Sequence, residues 1–441
     1  MKALDLTPAL NQSSDTEDLK VATLRKITRR LMPFLFVLYI AAWLDRVNVG
    51  FAALHMNSDL AFSSSAFGFG SAVFFLGYCL FEVPSNLILH RVGARLWIAR
   101  IMISWGVIAS ALMFVRTPAS FYVLRFMLGV AEAGFFPGIV YYLSGWYPRA
   151  QRARAIAAFM MAIPVAGLIG GPLSGALLGL DGAYGLAGWQ WLFLLEGTPS
   201  ILLGLVVVWY LTDRPEAARW LAPAQREWLV AQLAAERQAC AEAHPIGTIA
   251  ALTNTTVWRL GIIFFLANAG FLAYSIWSPQ IIRSFAAVSD LGVGLISGAI
   301  SAVTIVVMVL NSAHSDRTGE RPLHVAMPLL LMCVGFLATA ALGASWPALI
   351  TLALVPIGIG AAFGPFWSMP TLFLTGEAAA GGVALVASIV NAGGFVGPAL
   401  IGILKGGSGG YSTGFVLLGG AAGLAALLTL PLRRARTLAP V

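Results

Sequence analysis

Charged side chains are scarce in this sequence. Only 10% of its 441 residues are Asp, Glu, Lys or Arg, and 59% are hydrophobic, whereas soluble domains carry about 25% charged residues. The length alone would allow roughly two or three soluble domains, but the chain lacks the polar surface to cover them. Together with a mean hydropathy of +0.84, this indicates an integral membrane protein.

Cysteine and histidine are also rare. The residues Cys79, Cys240 and Cys333 lie far apart and form no CxxC motif, and the five histidines show no HExxH or paired spacing. A disulfide framework or a metal site is therefore not expected, and neither is a cofactor. Because no His/Asp, metal or nucleotide signature stands at a membrane surface, we do not expect an enzyme.

Long apolar runs are what the sequence has in abundance. A membrane span takes about 20 mostly apolar residues, and without a barrel pattern helices are the way to satisfy the backbone in lipid. We predict twelve spans, numbered 1 to 12: 31–53, 65–89, 97–116, 120–143, 155–178, 190–211, 257–281, 291–313, 324–343, 347–373, 382–404 and 413–432.

Lysine and arginine cluster on one side of these spans. On the other side lie only Arg116, Arg283 and Lys405, while Arg46 and Arg125 fall inside spans. This positive-inside pattern predicts a multi-pass protein of the inner (plasma) membrane with both termini in the cytoplasm. It also explains the pI of 9.7 as a consequence of topology, so no nucleic-acid partner is expected.

The spans divide into two groups of six. "RVGAR" at 91–95 follows span 2, and "RTGER" at 317–321 follows span 8 at the equivalent place, which indicates an internal repeat. The connector includes "PAQREWLVAQLAAERQ", which predicts an amphipathic helix along the cytoplasmic face. We predict a cytoplasmic tail over 1–30, a six-helix bundle over 31–212, the connector over 213–256, a second six-helix bundle over 257–432 and a cytoplasmic tail over 433–441.

Both basic loops resemble the signature G-x-x-x-D-R-x-G-R-R of the major facilitator superfamily. His90 stands where the acidic residue is usual in the first copy, and Asp316 supplies it in the second. The resemblance implies an all-α membrane fold of twelve helices in two pseudo-symmetric halves. "LDRVNVGFA", "GYCLFEVPSNLILHRVGAR", "RFMLGVAEAGFFPGIVYYLSGWYP", "GWQWLFLLEG" and "NAGGFVGPALIGIL" resemble its anion:cation symporter family, which carries organic acids. "FWSMPTLFLTGEAAAGGVAL" is most similar to the tartrate and phthalate branch.

Four ionisable residues fall well inside spans 1 and 4: Asp45, Arg46, Arg125 and Glu132. At about 1.5 Å per residue, Asp45 and Arg125 reach nearly the same depth, and Glu132 lies about 10 Å nearer the cytoplasm on the Arg125 face. Charges at such depths are costly and usually functional. The alternative is that they only form ion pairs that fix span 1 to span 4, and such pairs contribute little net stability.

These charges predict a switch. With both carboxylates ionised the four charges sum to zero, and protonating one carboxylate frees an arginine to bind a substrate carboxylate. Proton and anion would then favour each other's binding, which a symporter requires. The resemblance implies the same roles: Arg46 and Arg125 bind the anion, and Asp45 or Glu132 carries the proton. Asp45 could instead hold Arg125 in place.

The second half has no equivalent charges, so we expect it to contribute shape and neutral hydrogen bonds. Its candidates for substrate binding are Asn391, Trp367 and Ser368, and Tyr78 is a further candidate from span 2. The structural alternative is that the aromatic residues pack and the asparagine links helices.

Charged residues near the cytoplasmic ends of the spans predict ties between helices that break during alternating access. Glu196, in span 6, is either a gate or a helix tie, and the "GFFPG" run at 134–138 shapes helix packing. The residues of the predicted ties are Glu82, Arg91, Arg95, Asp316 and Arg317.

The function predicted from these features is import of a small organic carboxylate, of the tartrate, phthalate or aromatic-acid type, by proton symport. Sodium symport, anion exchange and uniport are alternatives, and a transporter-like receptor is the alternative from another class. Export of a cationic drug is disfavoured because arginines match the carboxylates. We expect a monomer whose partners are its substrate and membrane lipid.

Overall fold

A computed structural model describes residues 7–242, 254–369, 376–408 and 410–432. All regular structure within these ranges is helical, which confirms the all-α class. Twelve of the described helices are long and apolar enough to cross a membrane, one for each predicted span. They are Glu17–Asp59, Ser64–Val92, Ala94–Phe114, Pro118–Ser144, Arg149–Leu178, Gly188–Tyr210, Thr255–Phe285, Asp290–Thr318, Pro322–Leu342, Trp346–Ser368, Leu385–Gly407 and Ser412–Thr429.

Span 1 begins far earlier than its apolar run. One helix, Thr7–Asp59, includes most of the predicted tail, because residues 17–30 are good helix formers without Gly or Pro. Span 10 ends at Ser368, and the last part of its predicted range lies outside the described residues. The same holds for the tail at 433–441 and for residues 243–253 of the connector.

Span 4 is broken directly beneath a predicted site residue. Its first helix, Pro118–Glu132, ends at Glu132, and a second helix, Phe135–Ser144, follows. Between them Gly134 has a φ of 86°, a left-handed conformation that favours glycine. A Cβ there would lie 2.3 Å from Ser85 Oγ of span 2, so this glycine also lets the two spans approach closely.

The two halves repeat the same packing. In the first half span 3 packs on span 6 and span 2 on span 4, and in the second half span 9 packs on span 12 and span 8 on span 10. The connector helix, Pro223–Glu242, covers the end of the bundle where span 1 begins. Its Glu236 accepts a hydrogen bond from the backbone N–H of Arg149 at 3.0 Å.

We call the end of the bundle where span 1 begins the tail side, and the opposite end the far side. Spans 1, 2 and 5 meet spans 7, 11 and 8 of the other half, with glycines at each meeting point on the far side. A Cβ on Gly68 would lie 2.7 Å from Cα of Gly402, and one on Gly171 would lie 2.6 Å from the carbonyl oxygen of Gly294. The halves are therefore closed against each other on the far side.

Candidate functional site

Arg46 and Glu132 form a buried ion pair between span 1 and the break in span 4. Glu132 is 1% exposed and the Arg46 side chain 13%. The Arg46 guanidinium also lies 5.6, 5.4 and 5.1 Å from the ring centroids of Trp43, Phe74 and Tyr78, within the range of cation–π attraction. The pairing satisfies a charge that would otherwise be costly to bury.

Arg125 is fully buried beside this pair but is not hydrogen-bonded to it. Its Nη2 donates to the Ser71 carbonyl at 3.4 Å, and its guanidinium carbon lies 4.9 Å from the Phe74 ring centroid. Nε and Nη1 have no hydrogen-bond partner in the part of the chain that the structure describes. Both arginines thus lie against the Phe74 ring, and because Glu132 pairs with Arg46, the Arg125 guanidinium has no carboxylate partner among the described residues.

Asp45 lies on a different face of span 1. Adjacent helical residues point about 100° apart because a turn takes 3.6 residues, so Asp45 turns away from the Arg46–Glu132 pair. Its Oδ2 accepts hydrogen bonds from Trp105 Nε1 and from Ser200 Oγ, each at 2.7 Å. Asp45 does not contact Arg125 in this structure, so the alternative in which it holds Arg125 in place is not what the geometry shows.

The predicted set of four charges therefore divides into three and one. Arg46, Arg125 and Glu132 come together with a net charge of +1, and Asp45 stands apart among neutral donors. The predicted sum of zero over all four residues therefore does not describe this cluster. Depth along a helix was predictable, but the direction of each side chain around it was not.

Tyr78 and Asn391 both connect to this cluster. Tyr78 is buried under the Arg46 guanidinium. Asn391, on span 11, donates to Glu82 Oε2 on span 2 at 3.4 Å, and Glu82 interacts electrostatically with both Tyr78 and Arg46. This contact joins the two halves close to the charged cluster.

Trp367 and Ser368 lie elsewhere, in the last turn of span 10 on the tail side. Trp367 packs edge-on against Phe264, with ring centroids 6.2 Å apart, and Ser368 donates to the Pro365 carbonyl at 2.7 Å. The structure therefore does not bring these two residues to the Arg46–Glu132 pair.

Of the five predicted tie residues, Glu82 alone meets the other half among the described residues, through Asn391. Arg95 pairs with Asp213 at 3.3 Å, and Asp316 pairs with Arg321 at 2.6 Å. Arg91 and Arg317 are exposed and take part in no ion pair among the described residues. None of these four residues joins the halves in this conformation.

An ion-pair group on the far side was not predicted. His55 Nε2 of span 1 lies 2.8 Å from Asp290 Oδ2, at the start of span 8, and Arg283 Nη1 lies 3.2 Å from Asp290 Oδ1. The group joins the halves where the glycines already hold them together. A single histidine near a span end is too common to have indicated it from sequence.

A cavity lies between the halves, with about 990 Å³ of empty space including its opening. Spans 1, 5, 7, 8 and 10 line it, and none of the four predicted charged residues does. Trp43 connects the two regions, because its ring lines the cavity and also lies 5.6 Å from the Arg46 guanidinium. The hydroxyl-bearing residues of the lining are Ser174, Tyr274, Ser275, Ser278, Ser297, Ser301 and Thr304.

Comparisons with known proteins agree with this architecture. The family model described as Major Facilitator Superfamily matches residues 35–381. An Agrobacterium vitis protein named "Putative tartrate transporter" is 50% identical over 95% of this chain and 96% of its own length. A "Quinolone resistance transporter" of Acinetobacter baumannii is 38% identical over 91% of this chain and 92% of its own.

Among solved structures, a bacterial homologue of the human lysosomal transporter Spinster has the same fold. It aligns with a TM-score of 0.74 at 16% identity and covers 93% of this chain and 98% of that one. At this identity the likeness bears on the fold alone.

Proposed function

This chain belongs to the Major Facilitator Superfamily, and on that premise we propose that it imports a small organic carboxylate anion by proton symport with alternating access. The superfamily consists of transporters, so the chain is a transport protein and not an enzyme. The tartrate transporter relative supports a tartrate-like acid as the substrate. We place the protein in the inner membrane with the tail side in the cytoplasm.

The observation that carries the proposal is the buried Arg125 guanidinium, which pairs with no carboxylate among the described residues. Two nitrogens of its buried guanidinium have no hydrogen-bond partner among the described residues, and carboxylates bind guanidinium groups in bidentate geometry. A substrate carboxylate would supply both the missing negative charge and the missing acceptors. Tyr78, which lies under the Arg46 guanidinium, and Asn391, which contacts Glu82 beside the cluster, complete the proposed site.

Glu132 is the proposed point at which the proton acts. When Glu132 is ionised, Arg46 is held in the ion pair. When Glu132 binds a proton, that pair breaks and the net charge of the cluster rises from +1 to +2, which suits a dicarboxylate. Proton and anion binding thereby favour each other, as linkage between two ligands requires.

The conformation supports alternating access between the two sides. The halves meet through glycines and the His55–Asp290 pair on the far side, while the cavity residues Met160, Met308 and Phe363 lie toward the tail side. We interpret this as the state open to the cytoplasm. Transport then requires the far-side contacts to separate and the tail side to close.

Two measurements test the proposal. A thermal-shift panel of mono- and dicarboxylates on the purified protein should identify acids that raise its apparent stability, because a ligand that binds only the folded state stabilises it. In proteoliposomes without an imposed gradient, adding such an acid should make the outside more alkaline. Alkalinisation that requires sodium, or none during measurable uptake, would refute proton symport.

Export is the second candidate function, because one relative is named for quinolone resistance. Import predicts that a proton gradient acid outside drives tartrate into vesicles with the tail side inward. Export predicts quinolone extrusion from intact cells that express this chain. Growth on tartrate together with unchanged quinolone sensitivity would decide for import.

A further inference from the structure

A second polar cluster lies inside the first half, on the face of span 1 that carries Asp45. It contains two carboxylic acids, Asp45 and Glu196, which are 1% and 4% exposed. Ser200 donates to Asp45 Oδ2 at 2.7 Å and lies one turn from Glu196 on the same face of span 6. The two carboxyl groups are therefore neighbours, and Asp45 acts electrostatically on Glu196.

This pair lacks a cation. The groups that face it are Asn48 on span 1, Trp105 on span 3, Ser174 on span 5 and Ser200 on span 6, with Glu132 of span 4 acting on Asp45 at longer range. No Lys, Arg or His pairs with either acid in the described ranges. Two neighbouring negative charges away from water repel strongly, so the pair holds one proton in this conformation.

Two carboxylate oxygens of the pair are available to bind that proton. Each acid has one oxygen with hydrogen-bond donors, whereas Asp45 Oδ1 and Glu196 Oε2 have no partner within the described chain. Asn48, which is 1% exposed, is the further polar side chain of span 1 that acts on Glu196. Buried polar atoms are normally hydrogen-bonded, and a proton on one carboxyl would provide a donor for these acceptors.

Ser174 connects the pair to the cavity. Its side chain lines the cavity, and its hydroxyl donates to Glu196 Oε1 at 2.7 Å. A serine hydroxyl can donate and accept at once. A proton from cavity water can therefore bind Ser174 Oγ while the hydroxyl's own proton moves to Glu196, and release reverses both transfers.

We propose that Asp45 and Glu196 form one proton-binding unit that takes up and releases a single proton in each transport cycle, with Ser174 as its relay to the cavity. This inference rests on the proposed proton symport and adds Glu196 to it. The unit is separate from the Arg46–Glu132 pair and does not touch the anion. As with other strongly interacting acids, the proton belongs to the pair and not to either residue alone.

The test compares two transport modes of Glu196→Gln in proteoliposomes with radiolabelled tartrate. Glutamine preserves the volume and can still accept from Ser174, but it cannot release a proton. Accumulation driven by a proton gradient should fall about 10-fold or more, within the usual range of coupling between two ligands. Tartrate counterflow, which needs no net proton movement, should stay within about twofold of the wild type.

Two further variants complete the design. Ser174→Ala should slow gradient-driven uptake while leaving counterflow intact, since it removes the relay and keeps both acids. Glu227→Gln makes the same chemical change on the exposed face of the connector helix and should behave as wild type in both modes.

Each possible negative result refutes a different claim. If the wild type shows no gradient-driven uptake of tartrate or of the acids that stabilise it, the symport proposal itself is wrong. If Glu132→Gln abolishes accumulation while Glu196→Gln matches the wild type, symport stands and the acid pair is refuted. If Glu196→Gln reduces accumulation, counterflow and thermal stability together, Glu196 has a structural role, and the inference is overturned.

Discussion

The two halves share one helix packing but bury different chemistry. The buried charged residues of the described chain all lie in the first half, whereas the buried polar residues of the second half are neutral. Buried charge is costly and is kept where function needs it, so the difference indicates that one half handles charge and the other shapes the cavity. The two sets are Asp45, Arg125, Glu132 and Glu196 in the first half and Asn268, Ser278, Thr304, Ser315, Thr339 and Thr429 in the second.

Replacing Arg46, the cation of the buried ion pair in the first half, should have the largest effect on stability and on substrate binding. Arg46→Ala leaves Glu132 buried without its partner, and breaking a buried pair in this way destabilises a protein by about 3–5 kcal/mol. Tartrate affinity should fall by about 100-fold, since a truncated partner of a buried charge pair costs 2–5 kcal/mol or more. Thermal unfolding and binding to purified protein measure the two losses.

The double variant Arg46→Ala/Glu132→Gln separates those losses. It removes both charges, so stability should recover while tartrate binding stays lost. Normal tartrate affinity in Arg46→Ala would contradict the proposed anion site.

A matched pair of variants, one in each half, should distinguish charge handling in the first half from cavity shaping in the second. Glu132→Gln should reduce gradient-driven tartrate accumulation about 10-fold and preserve counterflow, because it removes a proposed proton site. Thr304→Val removes a cavity hydroxyl of the second half at almost constant volume, and the loss of one neutral hydrogen bond should change the KM by about 2- to 10-fold.

The readout for this pair is the proton-to-tartrate ratio, measured with a pH dye in the same vesicles. It should change in Glu132→Gln and stay at the wild-type value in Thr304→Val. A changed ratio in Thr304→Val would show that the second half also handles protons, and the division of labour would fail.

The fold was largely predictable because its signal is spread over many residues. Each of the twelve apolar runs became a span, and the "GFFPG" run became the break in span 4 at Gly134. The helix that precedes span 1 was missed, since a polar helix start has no hydropathy signal. Such patterns average over about 20 positions, so single errors do not change the result.

The site was predictable in its residue types but not in its pairing. Hydropathy and depth brought Arg46, Arg125 and Glu132 together correctly, yet placed Asp45 with them. Asp45 instead meets Trp105 and Ser200, two residues without an individual signal in the sequence. Which neighbour a side chain meets depends on the rotation of each helix, and tertiary packing sets that rotation.

The smallest expected effect concerns the far side, where both halves contribute side chains to one ion-pair group. His55 and Asp290 are partly exposed, with side chains 38% and 19% accessible, so their pair contributes about 0–1 kcal/mol. His55→Ala should therefore raise the share of molecules open on the far side by at most about fivefold, because 1.4 kcal/mol corresponds to a tenfold change. Distance measurements between spin labels at Ser58 and Leu291, in a protein freed of its native cysteines, would report that share.

Arg116→Ala is the matched control for the far side. Arg116 is a far-side cation that takes part in no ion pair in the described structure, so its removal should leave the label distances unchanged. An equal shift in both variants would mean that general far-side charge sets the equilibrium. In that case the His55–Asp290 pair would have no specific role in holding the far side closed.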